Sequence, residues 1–270
     1  MKENILDPEI QKQIYINGYA IIDMFDEKLV DQLESEISVY FSNISSPFFV
    51  SINSTDLNIR KEINQLVENF IKKNAADLFT HYDYLIGGIA MKNSIEKSDM
   101  RIHQDWANTD ESKYRSLSMW MPLCDITPQN GGMYVLPGSH KIDNLRGPGL
   151  PYSCIEIADL DYTSFTPIKL KKGQVLFYDL ALIHRSSINT SGKKRVAVIA
   201  NLVPKDAPVL LYTKSIINDA VADIYKSGKD FFLTYIFEDN QLPDWMEKIQ
   251  SVRIPNTKIS KKLLAEMKLI

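Results

Sequence analysis

Residues 173–204 read GQVLFYDLALIHRSSINTSGKKRVAVIANLVP, and this stretch decides the fold class. It contains two apolar runs of strand length, Gln174–Tyr178 and Arg195–Val203, with a turn signal at Ser191-Gly192 between them. The second run is apolar on both faces, as expected for a strand that is covered on both sides of a sheet. The stretch therefore predicts two buried strands of a β-rich core.

Short apolar runs of the same kind occur upstream, between turn signals such as Pro137-Gly138 and Lys172-Gly173. These further candidate strands are Tyr84–Met91, Arg101–Asp105, Ser116–Leu123, Met133–Leu136 and Ile168–Leu170. Seven short strands with turns between them predict a sandwich or a barrel. The segment 141–167 has Gly and Pro clustered near its start and is long, which is typical of a lid or a binding loop.

The two ends of the chain have a different pattern. Apolar positions recur at helical spacing from Glu27 onward and again from Ile59 to Ile71. Asp26 stands where a helix N-cap is expected. From Ala220 onward the periodicity again resembles that of helices, so we predict helices on both sides of the β core.

The composition excludes several classes of protein. The chain has 270 residues, of which 44% are hydrophobic and 24% charged, and these values exclude a disordered chain. The formal net charge of −3 gives no support to nucleic-acid binding. Cys124 and Cys154 are too few for a disulfide framework, and we find neither a signal-peptide core nor a run of membrane-span length. We therefore expect a cytoplasmic protein with no membrane and no nucleic-acid partner.

His103-Gln104-Asp105 and His184 form a candidate metal site. On a strand, residues i and i+2 point to the same face, so His103 and Asp105 can offer one imidazole nitrogen and one carboxylate oxygen to one ion. His184 follows the candidate strand Gln174–Tyr178, which can bring a third ligand across a barrel. Two imidazoles and one carboxylate leave three positions open, as in non-haem Fe(II) oxygenases.

Arg195 opens the second buried strand, and alternation places Arg195, Ala197 and Ile199 on one side of it. A buried guanidinium needs an anionic partner, and its fork suits a carboxylate. A dicarboxylic co-substrate that chelates the metal at one end would present its distal carboxylate at about this distance. The alternative is an exposed arginine at a strand end, beside Lys193 and Lys194.

The three candidate ligands leave two other functions open. The chain could be a metal- or ligand-binding jelly-roll protein without catalysis. It could also be a zinc hydrolase, because two histidines and a carboxylate also occur at catalytic zinc. No general base and no zincin motif such as HExxH accompanies the three residues, which disfavours the hydrolase.

Several segments, in this order, resemble the phytanoyl-CoA dioxygenase (PhyH) family. They are NGYAII at 17–22, His103-Gln104-Asp105, WMPLCD at 120–125, NGGMYVLPGSH at 130–140, His184 and Arg195. The resemblance runs from about Gln11 to Pro204. It implies a mainly β fold with flanking helices, built on a double-stranded β-helix (jelly-roll, cupin-like) core.

The sequence contains no repeats and no convincing linker, so we predict a single domain over residues 1–270. Its parts are a helical buttress at about 1–80, the jelly-roll core at about 82–204 and a C-terminal extension at 205–270. The sequence gives no indication of the oligomeric state.

The resemblance also implies the cofactor and its ligands. Fe(II) is the expected metal, 2-oxoglutarate the expected co-substrate, and His103, Asp105 and His184 the expected iron ligands and catalytic residues. Related halogenases have a small residue in place of the carboxylate. Because Asp105 is retained, the resemblance favours hydroxylation or another oxidation over halogenation.

Further residues match positions of the family that bind the co-substrate. Arg195 is expected to bind the distal carboxylate of 2-oxoglutarate, and Ser186 to help bind the same group. Trp120 matches an aromatic residue near the co-substrate, although a tryptophan of the core is an equal alternative. His140 belongs to a Pro-Gly-Ser-His segment that we interpret as a structural turn.

The implied function is that of a 2-oxoglutarate-dependent non-haem iron dioxygenase. It would hydroxylate an unactivated C–H bond of a small-molecule metabolite or natural-product intermediate, using O₂ and releasing succinate and CO₂. Desaturation or another oxidation also stays open. Arg101, Trp106 and the 141–167 loop are candidate elements of the substrate pocket, but they do not identify the substrate.

Overall fold

A computed structural model describes residues 7–150, 162–235, 242–255 and 259–270 of the chain. The helices are α1 (Pro8–Asn17), α2 (Glu27–Ile37), α3 (Leu57–Asn74), α4 (Lys229–Thr234) and α5 (Lys261–Glu266). The strands are β1 (Tyr19–Asp23), β2 (Phe48–Val50), β3 (Tyr82–Lys92), β4 (Met100–His103), β5 (Leu117–Pro122), β6 (Met133–Val135), β7 (Thr166–Pro167), β8 (Gln174–Asp179), β9 (His184–Ser186), β10 (Arg195–Pro204), β11 (Leu210–Lys214), β12 (Val221–Lys226) and β13 (Lys248–Arg253).

Two antiparallel sheets form the core. The larger has the strand order β1-β8-β5-β10-β3-β2, and the smaller has the order β4-β9-β6-β7. Trp120 and Ala197 of the larger sheet pack with Met133 and Val135 of the smaller one, so the two sheets face each other across a shared apolar interior. This arrangement agrees with the predicted mainly β, jelly-roll core.

Helices cover the outer face of the larger sheet. Ile63, Val67 and Ile71 recur along α3 at helical spacing, and all three are fully buried against this face. The predicted N-cap of α2 is confirmed, since the Asp26 carboxylate accepts a hydrogen bond from the backbone N–H of Lys28. Burial of such large aliphatic side chains stabilises the fold by about 2 kcal/mol each.

The predicted strands are confirmed, with ends shifted by one or two residues, except for Ile168–Leu170. The Ile168 N–H donates to the Met133 carbonyl, but the strand of this region is the short β7 just before it. Ile168 and Leu170 are nevertheless buried in the interior between the sheets. Here the apolar run corresponds to buried side chains and not to a strand paired with a neighbour.

The segments outside 82–204 also contribute β-strands. The segment at about 1–80 contributes β1 and β2 to the larger sheet as well as its helices. The expectation of helices from Ala220 onward is wrong for most of the tail, because β12 and β13 pair with β11 in a three-stranded sheet. Among the tail residues that the structure describes, α4 and α5 are the α-helices. The prediction of a single domain stays a prediction.

The three-stranded sheet of the tail packs against residues near the core. Ala222 and Ile224 alternate toward a cluster that includes Ala107 and Leu150, which explains why this part of the tail is a strand. Gly147 permits the close approach, because a Cβ at this position would lie 1.8 Å from the Tyr212 carbonyl oxygen.

Part of the predicted 141–167 loop, residues 151–161 with Cys154, lies outside the described residues. Among the helices that are described, none combines the length and the apolar character that crossing a membrane requires.

Arg60 of α3 ties the helical layer to the tail. Its side chain is almost completely buried, and its guanidinium donates to the carbonyl oxygens of Ser54, Leu233 and Tyr235, the last at 2.6 Å. Charged donors make stronger hydrogen bonds than neutral ones, and the carbonyls of Leu233 and Tyr235 lie far along the chain from Arg60 and Ser54. Arg60 therefore links the end of α4 to α3, where Lys229 of α4 also forms an ion pair with Glu68 of α3.

We expect Arg60→Met to lower the free energy of unfolding by about 2 kcal/mol, because it leaves buried carbonyl groups without donors. Urea unfolding followed by circular dichroism measures the loss. Lys61→Met, at the exposed neighbouring position, is the control and should change stability by less than about 0.5 kcal/mol. Equal unfolding midpoints for the two variants would contradict this assignment.

Candidate metal centre

Two strands of the smaller sheet bring the predicted histidines together. β4 and β9 pair antiparallel, and His103 lies directly opposite His184 in their register. The two imidazole rings are 4.1 Å apart between centroids. Asp105 was predicted on the same strand as His103, but it lies two residues beyond the end of β4. Its backbone N–H donates to the Leu180 carbonyl, which still holds it beside β9.

The three predicted ligands converge. Ligand atoms of His103, Asp105 and His184 all lie within 4.8 Å of one another. The Oδ1 atom of Asp105 is 3.7 Å from Nε2 of His103 and 3.8 Å from Nε2 of His184. Two atoms that each bind one ion at about 2.1 Å can be at most about 4.2 Å apart, so both separations suit a shared ion.

The backbone fixes which nitrogen of each histidine faces the site. Nδ1 of His103 lies 2.8 Å from the Arg101 carbonyl oxygen, and Nδ1 of His184 lies 2.9 Å from that of Leu182. A carbonyl can only accept, so each Nδ1 carries the proton and each Nε2 presents a lone pair. This is the tautomer that a metal ligand needs.

Burial also keeps His103 neutral. Desolvation, and then the proximity of His184, lower the pKa of His103 to about 4. At neutral pH its Nε2 lone pair is therefore free for a metal. The arrangement as a whole offers two neutral nitrogens and one anionic oxygen, a donor set with which proteins hold Fe(II) and leave open positions.

Arg195 is buried where the sequence predicted, at the start of β10. Ala197 and Ile199 pack in the interior between the sheets, which confirms the predicted face. The Arg195 guanidinium donates to the carbonyls of Ala90 and Gly131, its Nε has no hydrogen-bond partner, and burial lowers its pKa to about 10. No carboxylate of the described residues forms an ion pair with it. The alternative of an exposed strand-end arginine is therefore wrong.

Lys92 is a second buried cation that the sequence analysis missed. It ends β3 directly opposite Arg195, and its side chain is fully buried. Its Nζ donates to the Ser187 carbonyl at 2.6 Å. Burial, and then the positive charge of Arg195, lower the pKa of Lys92 to about 7. Two buried cations side by side make this end of the interior attractive to an anion.

The other predicted co-substrate residues also lie in the core. The Trp120 ring is buried between the sheets, with the Arg195 guanidinium 5.5 Å from its centroid. Trp120 is thus both a core residue and a neighbour of the predicted anion-binding group. Ser186 is buried two residues after His184 on β9, on the same face as that ligand. Its role toward the co-substrate stays a prediction.

Two more residues near the ligands were not predicted to act. Tyr178 donates its phenolic proton to Oδ2 of Asp105 at 2.9 Å, and Nε of Arg146 donates to the Asp105 backbone carbonyl at 2.8 Å. The only signal for Tyr178 was its place on the interior face of a predicted strand six residues before His184. Nothing in the local sequence marks Arg146, which lies 41 residues after Asp105 in the chain.

His140 and the two candidate pocket residues, Arg101 and Trp106, contact other parts of the protein or solvent. Nε2 of His140 contacts the Tyr15 carbonyl oxygen at 3.1 Å, in keeping with a structural turn. Arg101 is exposed on β4. Trp106 packs with Tyr235 and other residues of the tail. Their predicted part in a substrate pocket stays a prediction.

A comparison with family models decides the family. The model described as phytanoyl-CoA dioxygenase (PhyH) matches residues 17–197, which is well over half of the chain and includes all three candidate ligands. The chain belongs to the phytanoyl-CoA dioxygenase family. The predicted family is thereby confirmed.

A curated member with sequence similarity comes from Dictyostelium discoideum. It is described as a phytanoyl-CoA dioxygenase domain-containing protein 1 homolog and is 29% identical over 140 residues. The match covers 48% of this chain and 50% of that protein. The chain therefore aligns with only half the length of this family member.

Solved structures share the fold. EvdO2 from Micromonospora carbonacea var. aurantiaca, complexed with 2-oxoglutarate, is 19% identical, with a TM-score of 0.52 over 76% of this chain and 94% of that one. HygX from Streptomyces hygroscopicus, with nickel and 2-oxoglutarate bound, is 16% identical, with a TM-score of 0.54 over 74% and 88%. At these identities the similarity is one of fold, and it confirms the predicted fold class.

Asp179 shapes the turn that leads to His184. Its Oδ1 accepts a hydrogen bond from the Ala181 N–H at 2.8 Å, and the carboxylate is almost completely buried. Burial raises the pKa of Asp179 to about 6, against the attraction of Arg115. A carboxyl whose pKa is higher in the folded state binds its proton more tightly there. Its contribution to stability is therefore lost as the pH rises from about 4 to about 6.

We expect Asp179→Asn, which cannot ionise, to become progressively more stable than the wild type between about pH 4 and about pH 6, with a constant difference above. Urea unfolding at a series of pH values measures this difference. Asp110→Asn is the control of opposite sign, because hydrogen bonds from Lys113 and Ser112 lower the pKa of Asp110. A pH-independent difference for Asp179→Asn would exclude the raised pKa.

Proposed function

We propose that the chain is an Fe(II)- and 2-oxoglutarate-dependent oxygenase, with His103, Asp105 and His184 as the iron ligands. The observation that carries the proposal is the convergence of two Nε2 atoms and one carboxylate oxygen on one point of a jelly-roll interior. The chemistry supplied by such a centre is the coupling of O₂ reduction to decarboxylation of 2-oxoglutarate and oxidation of a substrate C–H bond.

The chain's own residues support a dicarboxylate as the second component. Arg195 and Lys92 are two buried basic side chains, and their printed hydrogen bonds within the described residues go to backbone carbonyls. One carboxylate at this position would relieve the repulsion between the two cations and satisfy the free Nε of Arg195. We therefore assign Arg195 as the main group that binds the distal carboxylate of 2-oxoglutarate, with Ser186 and Trp120 as neighbours of the co-substrate.

The proposed reaction is hydroxylation of a small molecule, with O₂ consumed and succinate and CO₂ released. Retention of Asp105 supports oxidation over halogenation, because the carboxylate takes the ligand position that a halide would need. The walls of the interior are apolar apart from the site, which suits the exclusion of bulk water from the reacting atoms. A cytoplasmic location and a small-molecule partner stay predictions.

Anaerobic addition of Fe(II) and 2-oxoglutarate tests the assignment of the ligands. We expect the wild type to give a weak visible charge-transfer band, because the band requires iron and a chelating keto acid together. His103→Ala and Asp105→Ala should remove it and should abolish turnover of 2-oxoglutarate to succinate, since each removes one of three ligands.

The same titration separates the alternatives. A metal-binding protein without catalysis would retain iron but form no succinate with any substrate, and a zinc hydrolase would prefer Zn²⁺ and give no charge-transfer band. His140→Ala is the control, because its ring contacts the Tyr15 carbonyl and not the candidate ligands. A wild type that gives neither band nor succinate would disprove the proposal.

Substitution of Arg195 tests the co-substrate site. We expect Arg195→Met to raise the KM for 2-oxoglutarate by at least about tenfold, since a desolvated charge pair of this kind contributes more than about 1.4 kcal/mol. The variant should bind a 2-oxo acid without the distal carboxylate no worse than the wild type does. Equal loss for both acids would show that Arg195 acts only through the fold, and Lys193→Met, nearby and exposed, is the control.

A further inference from the structure

The backbone of Asp105 is held from two sides. Its N–H donates to the Leu180 carbonyl at 3.0 Å, and its carbonyl accepts from Nε of Arg146 at 2.8 Å. Arg146 is in turn buried and paired with Glu111, so it has little freedom to move. With the main chain fixed in this way, rotation of the side chain is the movement left to the Asp105 carboxylate.

The two oxygens of that carboxylate have different neighbours. Oδ1 faces Nε2 of both histidines, at 3.7 and 3.8 Å. Oδ2 accepts the hydrogen bond from the Tyr178 phenol at 2.9 Å. Only Oδ1 is therefore directed at the point where an ion would bind, while Oδ2 is engaged by a group of the protein.

Tyr178 is well placed to keep this contact. It lies on β8 with its ring buried in the interior, 4.9 Å from the ring of His184 between centroids. Ser118 lies directly opposite in the β5–β8 register and hydrogen-bonds the phenol. Burial, and then the charge of Asp105, raise the pKa of Tyr178 well above its usual value.

We propose that Tyr178 is a positioning residue that holds Asp105 as a ligand through one oxygen. This inference rests on the proposed function. A carboxylate can bind a metal through one oxygen or through both. Binding through both would turn Oδ2 toward the ion and break the hydrogen bond from Tyr178. It would also occupy one of the three positions that a chelating keto acid and O₂ need.

The substitution Tyr178→Phe removes the hydroxyl and keeps the ring, so it isolates this hydrogen bond. We expect Fe(II) to bind about tenfold more weakly, which is the lower end of the effect of losing a group that orients a metal ligand. We also expect the absorption spectrum of the Co(II)-substituted protein to change, because that spectrum depends on the number and arrangement of the ligand atoms. The dissociation constant for 2-oxoglutarate at the Co(II) protein should rise.

None of these measurements requires turnover, so they distinguish two failures. If the wild type binds neither Fe(II) nor Co(II), the proposed function fails and this inference fails with it. If the wild type binds both metals and Tyr178→Phe has the same affinity and the same Co(II) spectrum, the proposed function stands and Tyr178 only packs in the core. Weaker metal binding together with a changed Co(II) spectrum supports the inference.

Tyr84→Phe is the matched control. Tyr84 is also buried, and its phenol also hydrogen-bonds another side chain, that of Asn64, but it lies among the residues packed against α3. It should lose stability as Tyr178→Phe does and leave both metal readouts unchanged. Tyr178→Met, which also lacks the hydroxyl, replaces Tyr178→Phe if that variant does not fold. A metal readout that changes equally in the control would overturn the inference.

Discussion

The pairing of β4 with β9 is the constraint on which the site depends. Their register places His103 against His184, and a slip by one residue would turn one imidazole to the opposite face of the smaller sheet. Backbone carbonyls then set the orientation of both rings, so the lone pairs are fixed by main-chain groups and not by flexible partners. A site built in this way changes little when a metal arrives, and little ordering entropy opposes binding.

The larger sheet supplies the two basic side chains near the site from the ends of neighbouring strands. Arg195 begins β10 where Lys92 ends β3, so antiparallel pairing alone brings the two cations together. Burial lowers the pKa of both, because a charged group loses its hydration when it is buried. The fold tolerates this cost because hydrogen bonds to carbonyl oxygens, such as those of Gly131 and Ser187, hold each cation in place. An anion bound beside them would offset this cost, which favours a co-substrate with a distal carboxylate over a keto acid that has none.

The sequence predicted the features that depend on local spacing. The interior face of β10, the N-cap of α2 and the residue types of the metal triad follow from short sequence patterns, and the structure agrees with them. The sequence could not show which residues lie opposite each other in paired strands, because the register joins strands that are far apart in the chain. Lys92 and Tyr178 were missed for this reason. The tail was misread because Ala222 and Ile224 form too short a run to separate a strand from a helix.

The misread tail also has a place in the construction of the site. Its three-stranded sheet holds the segment that follows Asp105: the Leu210 N–H donates to the Asn108 carbonyl, and the Tyr212 phenol donates to the Thr109 carbonyl. Ala107 packs in the same apolar cluster as β11 and β12. The candidate ligand Asp105 is thus held on one side by Tyr178 of β8 and by Leu180 in the turn after β8, and it is followed by a segment fixed to the tail. A carboxylate outside a strand can be held as firmly as one within it. For Asp105, tertiary contacts replace the backbone hydrogen bonds of β4, which ends at His103.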